Sequence, residues 1–475
     1  MPASIDKELV ALQPEHFGPL EPFVTDPEIT DVDYNGYMLL VRDKYGTRRN
    51  VDIEFTESDF NMLVQHIQNS VGKEFNRTHP LLEAESEQYR LSVVHSSVNG
   101  GKDAERKSIC IRKTPPRVAI ETRESIENGY MKKDVISLLM NLIKCHANFI
   151  ICGTPGTGKT ELAKYLGMAI DPLERVITIE DSREWRYHDL KPDADCVELQ
   201  VTPSFDYFAA IKCCLRQNPD WICVSEIRGL ESENYIQQLS TGCHGITTLH
   251  TDSVKNIPNR IANMGTPNPA KMIKDVYTFV NVGILIDIRV QPDGSKKRRI
   301  AEVGLFSPPE HGASEGTCTL IVEDGKLIVP PDEILDMLPE AVKTRFRDRK
   351  VENPLYYKDI DDACVGLYFS PFTGDVVSKL DYDKEVKEFE KQKKEAEEVA
   401  DAEQSEDDST QQAQPQTTSA QQTRGTEDMR VVTKPTASSP TQPNRPQPLS
   451  TSMPKPLTSQ KPKPVKDMRS GRRLY

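Results

Sequence analysis

Gly153-Thr154-Pro155-Gly156-Thr157-Gly158-Lys159-Thr160 is a complete G-x-x-x-x-G-K-[ST] loop, and the residues on either side of it decide the fold. Asn148 to Cys152 reads as a short buried strand, and Glu161 to Met168 as a helix with Leu162 and Leu166 inward, the setting that the motif requires. Glycines at 153, 156 and 158 let the backbone curl so that successive N–H groups face one anion, where a Cβ at a left-handed position would cost strain. The helix N-terminus adds positive potential at the same place. Lys159 is placed to reach β and γ phosphate oxygens, and the Thr160 hydroxyl to ligate Mg²⁺ beside water and phosphate oxygens. The pattern implies a nucleoside triphosphate bound by Gly153 through Glu161.

Beyond the loop the chain alternates strand and helix, as a doubly wound α/β domain does. Val176 to Ile179 is a continuous apolar, β-branched run that ends in Glu180-Asp181. Ser204 is the expected cap of a helix carrying Tyr207, Phe208, Ile211 and Leu215, and Asn218-Pro219-Asp220 breaks it. Trp221 to Val224 is the next buried strand and delivers Ser225-Glu226-Ile227-Arg228. A helix over Glu231 to Leu239 follows, then a turn into the strand Ile246 to Leu249 and His250. Ligands of such sheets lie beyond the carboxyl ends of the strands, so Glu180, Glu226 and His250 are expected to converge on the phosphates. Hydrolysis needs in-line attack by a held water, and either Glu226 or Glu180 suits the task of orienting it or taking its proton. His250 reads either as a γ-phosphate sensor or as a core histidine satisfied by backbone. Arg216 and Arg228 read as phosphate or inter-subunit clamps or as solvated charges.

At 475 residues the chain exceeds what one core usually supports. A net charge of −13 argues against a general nucleic-acid binder, and no direct nucleic-acid readout is expected. Ten scattered cysteines, without a C-x-x-C pair, suit a reducing cytosol. Met1 to Leu20 has no apolar segment of signal-peptide type, and the longest apolar stretch, Val276 to Ile288, is too short to cross a bilayer. Before the loop, Asp26 to Val41 reads as strand, Asn-Gly turn, strand. Thr56 caps a helix with Phe60, Leu63, Val64, Ile67 and Val71 on one face, and Arg90 to His95 and Ser108 to Lys113 are further strands. Arg112, at a strand end, is either a solvated charge or an arginine facing the nucleotide. Thr114 to Val118 reads as a linker able to act as a hinge, and a helix with Val135, Leu138, Leu139, Leu142 and Ile143 on one face leads into the loop strand. Val276 to Val290 and Arg298 to Phe306 look like strands, and Thr319 to Val322 and Lys326 to Val329 like a hairpin. Tyr382 to Glu403 reads as a charged, solvated helix. From Gln404 the Ser, Thr, Gln and Pro content leaves nothing to bury, so disorder is expected. The basic end, Lys461 to Arg473, is a solvated tail or a peripheral membrane contact.

Four stretches occur in order: the phosphate loop, Ile177 to Ser182, Leu215 to Arg228, and Thr241 to Thr251. Together they resemble the Walker A, Asp-box, Walker B and His-box series of the type II/IV secretion ATPase superfamily. The likeness extends to Ile29–Gly36, Ile111-Arg112 and, in outline, 260–306. It implies an α/β fold: a RecA-like P-loop NTPase core at 119–306, a smaller α+β domain before it at 1–118, a small appendage at 307–380, and a charged helix with disordered tail at 381–475. It also implies ATP and Mg²⁺ as cofactors, with Lys159 and Thr160 on phosphate and metal. Glu180 and Glu226 would serve the attacking water, His250 would be the second His-box histidine, and Arg112 would be offered to the γ-phosphate. The expected partners are copies of the same chain in a hexameric ring and the platform proteins of a secretion or pilus system at the cytoplasmic face of the inner membrane. Cys243 stands where the first His-box histidine is usual, with His244 one place later, and Ser225 replaces the usual glycine before Glu226. The four-cysteine zinc insertion of type II secretion and pilus-extension members is absent, which disfavours that branch and leaves conjugation-type, Tad-type and retraction-type relatives. An AAA+ ATPase would end its Walker B strand in Asp-Glu rather than Ser225-Glu226; a nucleotide-gated binding module would not need carboxylates at both 180 and 226.

Overall fold

The computed structural model describes residues 11–394 apart from 45, 87, 100–105, 294–295, 310–315 and 331–332. The expected tail from Gln404, its basic end and the last part of the charged helix lie outside the described residues.

The first unit of secondary structure is a six-stranded antiparallel sheet built from β1 (Ile29–Tyr34), β2 (Leu39–Asp43), β3 (Arg48–Val51), β4 (Leu81–Glu85), β5 (Tyr89–Val94) and β6 (Ser108–Lys113), in the order β3-β2-β1-β6-β5-β4. Thr56 opens α1 (Glu57–Val71) with a capping box: its hydroxyl accepts from the Asp59 N–H, and the Asp59 carboxylate accepts from the Thr56 N–H. Phe60, Leu63, Val64 and Ile67 recur at helical spacing and are buried with Val32, Leu91 and Ile111 of the sheet. β3 and β4 carry charges at exposed positions and are not legible as strands in the sequence.

The larger sheet has nine strands: β7 (Phe149–Cys152), β8 (Val176–Glu180), β9 (Cys196–Gln200), β10 (Trp221–Val224), β11 (His244–Leu249), β12 (Val282–Val290), β13 (Lys296–Ser307), β14 (Thr317–Glu323) and β15 (Lys326–Leu327). Their order is β15-β14-β13-β12-β7-β11-β10-β8-β9. From β12 to β9 the neighbours are parallel, and β13 to β15 join antiparallel. The inner parallel strands β7, β8 and β10 are buried on both faces, so their residues alternate between two cores. In β7, Phe149 and Ile151 pack with α2 (Lys133–Lys144) and α3 (Lys159–Gly167). Ile150 and Cys152 face α4 (Tyr207–Cys214), α5 (Glu231–Leu239) and α6 (Pro269–Phe279). This is the expected RecA-like α/β arrangement. Ile334, Leu338, Val342, Phe346 and Ile360 join the first of these cores, among them residues of α7 (Glu340–Asp348).

Two expectations are corrected. The cap of α4 is Asp206, whose carboxylate accepts from the Ala209 N–H at 2.8 Å, not Ser204; Phe208 and Leu215 are exposed. Val276 belongs to α6 rather than to the strand that starts at Val282, because Met272 and Val276, one helical turn apart, are its buried residues and the chain turns extended only at Val280. The ten cysteines are unpaired. Among the described residues no helix is long and apolar enough to cross a membrane.

Candidate functional site

The phosphate loop runs from the end of β7 into α3. Gly153, Gly156 and Gly158 adopt φ of 148°, 79° and 95°, and a Cβ on Gly153 would lie 2.4 Å from the Ile286 carbonyl oxygen and 2.9 Å from Thr157 Oγ1. Only glycine fits there. Buried Thr157 tightens the loop by donating from Oγ1 to the Thr154 carbonyl at 3.0 Å, while Thr154, Pro155 and Gly156 form the exposed rim. Lys159 Nζ donates to the same carbonyl at 3.3 Å and lies 3.1 Å from His250 Nδ1. Burial lowers its pKa, and the Glu226 charge opposes that shift.

Because β11 lies between β7 and β10, and β8 lies beyond β10, the ends of these strands bring their terminal residues beside the loop. His250 follows β11 directly, with Nε2 2.9 Å from Glu226 Oε1. Glu226 Oε2 accepts from Arg228 Nη2 at 2.9 Å, and Arg228 Nη1 donates to Asp181 Oδ2 at 3.1 Å. A chain of polar contacts therefore runs Lys159, His250, Glu226, Arg228, Asp181, in which the His250–Glu226 step is a close approach without hydrogen-bond geometry. The bond from Glu226, outweighing burial, raises the Arg228 pKa. His250 Nδ1 also lies 3.0 Å from the Gly153 carbonyl, and one ring nitrogen cannot accept from Lys159 and donate to a carbonyl at once. Acceptance from the ammonium leaves the proton on Nε2, facing Glu226. The 225–227 segment is fixed from behind: Thr248 Oγ1 donates to the Ser225 carbonyl at 2.7 Å and the Ile227 N–H to the Thr248 carbonyl at 3.0 Å.

Glu180 sits in a different environment. It is 3 % exposed, and its Oε2 accepts from the Glu184 and Trp185 N–H groups, each at 2.8 Å. Burial pushes its pKa up to about 7 against the pull of these two bonds. The two candidate carboxylates are thus unlike: Glu226 belongs to the chain that reaches Lys159, and Glu180 closes the turn after β8.

Arg112, on β6, donates from Nε to Asp31 Oδ1 at 3.0 Å. Burial works to lower its pKa, but Asp31 outweighs it and the net direction is up; Glu184, whose charge also acts on Lys159, adds to the rise. The Glu161 side chain is directed at the linker, not at the loop: Oε2 accepts from the Ala119 N–H at 2.8 Å and Oε1 pairs with Lys164 at 2.6 Å. Only its backbone N–H, in the first turn of α3, is left for a phosphate. Thr160, in the same turn, is half-buried.

Three residues at the site have roles that the sequence does not announce. Asp181 follows Glu180 and stands out only as part of the same motif. Glu85, on β4, accepts from Ser182 Oγ at 2.6 Å, the Arg183 N–H at 2.8 Å and Gln200 Nε2 at 2.9 Å. Arg298, on β13, donates from Nε and Nη2 to the Gly156 carbonyl at 3.3 and 3.1 Å. No local pattern distinguishes a strand glutamate or arginine that faces a distant loop from one that faces water.

The donor set fits an Mg²⁺ delivered with nucleotide: Thr160 offers one hydroxyl, and Mg²⁺ ordinarily takes its remaining ligands from phosphate and water. Among the described residues no cluster of three or more His, Cys, Asp or Glu could hold a metal by itself.

Residues 82–288 match the family described as type II/IV secretion system protein. An uncharacterized protein of Bacillus anthracis is 28% identical over 276 residues, 57% of this chain and 61% of that protein. The type IV secretion system protein VirB11 of Bartonella quintana is 33% identical over 136 residues, 27% of this chain and 37% of that one. The chain thus spans less than two thirds of the length of either relative. The X-ray structure of the Legionella pneumophila ATPase DotB covers 80% of this chain and 97% of its own at 15% identity, with a TM-score of 0.48.

Proposed function

We propose that this chain, whose residues 82–288 match the type II/IV secretion system protein family, is a member of that family and a Mg²⁺-dependent ATPase motor of a type IV secretion, conjugation or pilus-like machine. The observation that carries the reading is the polar chain from Lys159 through His250 to Glu226 and Arg228, set beside a complete phosphate loop. The backbone N–H groups of 153–161, except at Pro155, which has none, and Lys159 hold the phosphates, and His250, adjacent to Lys159, reports on the γ position. Thr160 would hold Mg²⁺, which when bound would supply charge neutralisation to the phosphates. Glu226 orients the attacking water and takes its proton, because its carboxylate lies in the chain while that of Glu180 holds backbone N–H groups. Arg228 holds the Glu226 carboxylate in place through its bond to Oε2, and Arg112 is offered to the γ-phosphate from the smaller sheet. Arg112 and Arg228 side chains are 49% and 58% exposed, which leaves them accessible to a neighbouring copy in a hexameric ring.

The division into 1–118, 119–306, 307–380 and 381–475 belongs to the same proposal. It draws support from the absence of strand pairing between the two large sheets among the described residues. The larger sheet itself runs on to Leu327. Work would come from a change in the relation of the two sheets about the 114–118 linker, at the cytoplasmic face of a membrane platform.

The test is phosphate release measured alongside mass in solution, with and without ATP and Mg²⁺. The full chain is expected to hydrolyse ATP and to form a nucleotide-stabilised hexamer. Lys159→Ala should lose nucleotide binding, and Glu226→Gln should bind and fail to turn over. Normal steady-state hydrolysis by Glu226→Gln would remove that residue from the catalytic role, and a monomer without turnover would sink the motor reading.

A further inference from the structure

Arg298 lies where the two sheets meet the phosphate loop. Its forked head donates from Nε and Nη2 to the Gly156 carbonyl at 3.3 and 3.1 Å, and from Nη1 to the Lys44 carbonyl in the turn between β2 and β3. Its stem passes the loop closely enough that a Cβ on Gly158 would lie 3.8 Å from Cδ, and a Cβ on Gly46 would lie 3.5 Å from Nη2. A single guanidinium therefore spans one carbonyl of the loop and one of the smaller sheet.

The bond to Gly156 has a consequence for the loop. Across a planar trans peptide the C=O of one residue and the N–H of the next point in opposite directions, and the described residues contain no cis peptide. Holding the Gly156 carbonyl toward Arg298 turns the Thr157 N–H the opposite way, where it donates to the Thr154 carbonyl with N and O 3.4 Å apart. So long a bond is one that an anion bound by the loop can displace. Burial lowers the Arg298 pKa; Tyr130, Asp43 and Asp31 favour its charge and Arg42 opposes it, without reversing that direction. A lysine could place one ammonium near one carbonyl but could not reproduce the fork.

We propose that Arg298 is a positioning residue that sets the 156–157 peptide for phosphate binding and ties that setting to the β2–β3 turn, so that the smaller sheet tunes nucleotide affinity through one side chain. This rests on the nucleotide-binding reading for its affinity arm only. Its other arm is read without nucleotide, so the two fail separately.

The experiment uses the full chain as wild type, Arg298→Ala and Arg298→Lys. Binding of fluorescent N-methylanthraniloyl ADP with Mg²⁺ is measured, together with amide hydrogen exchange of nucleotide-free protein in segments 39–47 and 153–160. Arg298→Ala is expected to weaken binding about tenfold, the size of one lost charge-assisted hydrogen bond, and to speed exchange in both segments. Arg298→Lys should fall between the two. Wild-type exchange in both segments of a folded Arg298→Ala protein overturns the proposal, and faster exchange in 153–160 alone overturns the link to the smaller sheet. Should Arg298→Ala not fold, wild-type affinity and exchange in Arg298→Lys overturn it instead. If wild-type protein binds no nucleotide, the proposed function falls, and the exchange arm still decides the role of Arg298.

Discussion

Glu180→Gln is a substitution whose effect can be worked out from the structure before any turnover is measured. The folded protein holds this carboxyl at a pKa of about 7 against an ordinary value of 4.5, because burial penalises the charged form more than the Glu184 and Trp185 N–H groups favour it. Between these two values the unfolded chain gives up its proton while the folded chain keeps it, so stability falls as pH rises. The full cost above pH 7 is about 3 kcal/mol, and the part that accrues between pH 5 and pH 8 is about 2.5 kcal/mol. No discount for solvent screening applies, since the residue is 3 % exposed. The glutamine amide has no charge to lose and keeps an oxygen for the two N–H groups. The stability of Glu180→Gln relative to wild type should therefore rise by about 2.5 kcal/mol from pH 5 to pH 8. The assay is urea unfolding followed by tryptophan fluorescence. The chain has two tryptophans, Trp185 and Trp221, both fully buried in the unit of the larger sheet, so the signal reports the cooperative unit that contains Glu180. A difference between the two proteins that is the same at pH 5 and pH 8 would refute the assignment of a raised pKa to this group.

Two further substitutions probe the frame of the site. A Cβ at Gly245 would sit 2.3 Å from Tyr235 Oη and 2.7 Å from Leu239 Cδ2, so Gly245→Ala should cost about 3 kcal/mol through overpacking between β11 and α5, read as a lower urea midpoint; an unchanged midpoint would show that α5 yields freely. Asn148 joins three segments, its N–H donating to Asn281 Oδ1 at 2.8 Å, its Nδ2 to the Phe279 carbonyl at 2.6 Å, and its Oδ1 accepting from the Gly245 N–H at 3.0 Å. Asn148→Ala strands a buried donor and a buried acceptor and should cost about 2–4 kcal/mol, and Asn148→Asp, which keeps the bond from Gly245 but turns a buried carboxylate oxygen toward the Phe279 carbonyl, should cost at least as much. A clearly smaller loss for Asn148→Asp would count against the bond to Phe279.

What can be read from the sequence is what short-range chemistry specifies. The phosphate loop is legible because its glycines, lysine and hydroxyl must lie adjacent to one another. Positions 180, 226 and 250 are legible because buried parallel strands are short runs of apolar and β-branched residues whose ends are marked by the first ionisable residue. The cap of α4 is not: Ser204 and Asp206 both have side chains suited to an N-cap, and only the backbone, with Asp206 at φ −77° and ψ 173°, distinguishes them. The apolar run from Val276 to Ile288 reads as one strand because β-branched residues also line a buried helix; the break falls at Asn281, which reaches back to the Asn148 N–H. Glu85 and Arg298 are invisible for a stronger reason. Each is a charged residue on a strand, and its meaning comes from a contact nearly one hundred residues or more away in the chain.

Those long-range contacts bear on how a motor of the proposed kind would work. The smaller sheet or the linker grips the nucleotide-binding half at three places: Glu85 on the 182–183 turn and Gln200, Arg298 between Lys44 and Gly156, and α3 on the linker through Lys164 to the Arg117 carbonyl at 3.0 Å and Glu161 to the Ala119 N–H. Lys164 is 3 % exposed, so its ammonium depends on that carbonyl and on Glu161 for partners. None of the three is a loose surface pair. Each ends on a backbone group of the loop, the turn after β8, the linker or the β2–β3 turn, and backbone groups cannot move without carrying the residues beside them. The turn gripped by Glu85 is closed by Glu180 and contains Asp181, the terminal partner of Arg228. The carbonyl gripped by Arg298 is three residues from Lys159. A shift of the smaller sheet would therefore reach both ends of the Lys159 to Asp181 chain together, which is the coupling that conversion of hydrolysis into domain motion needs.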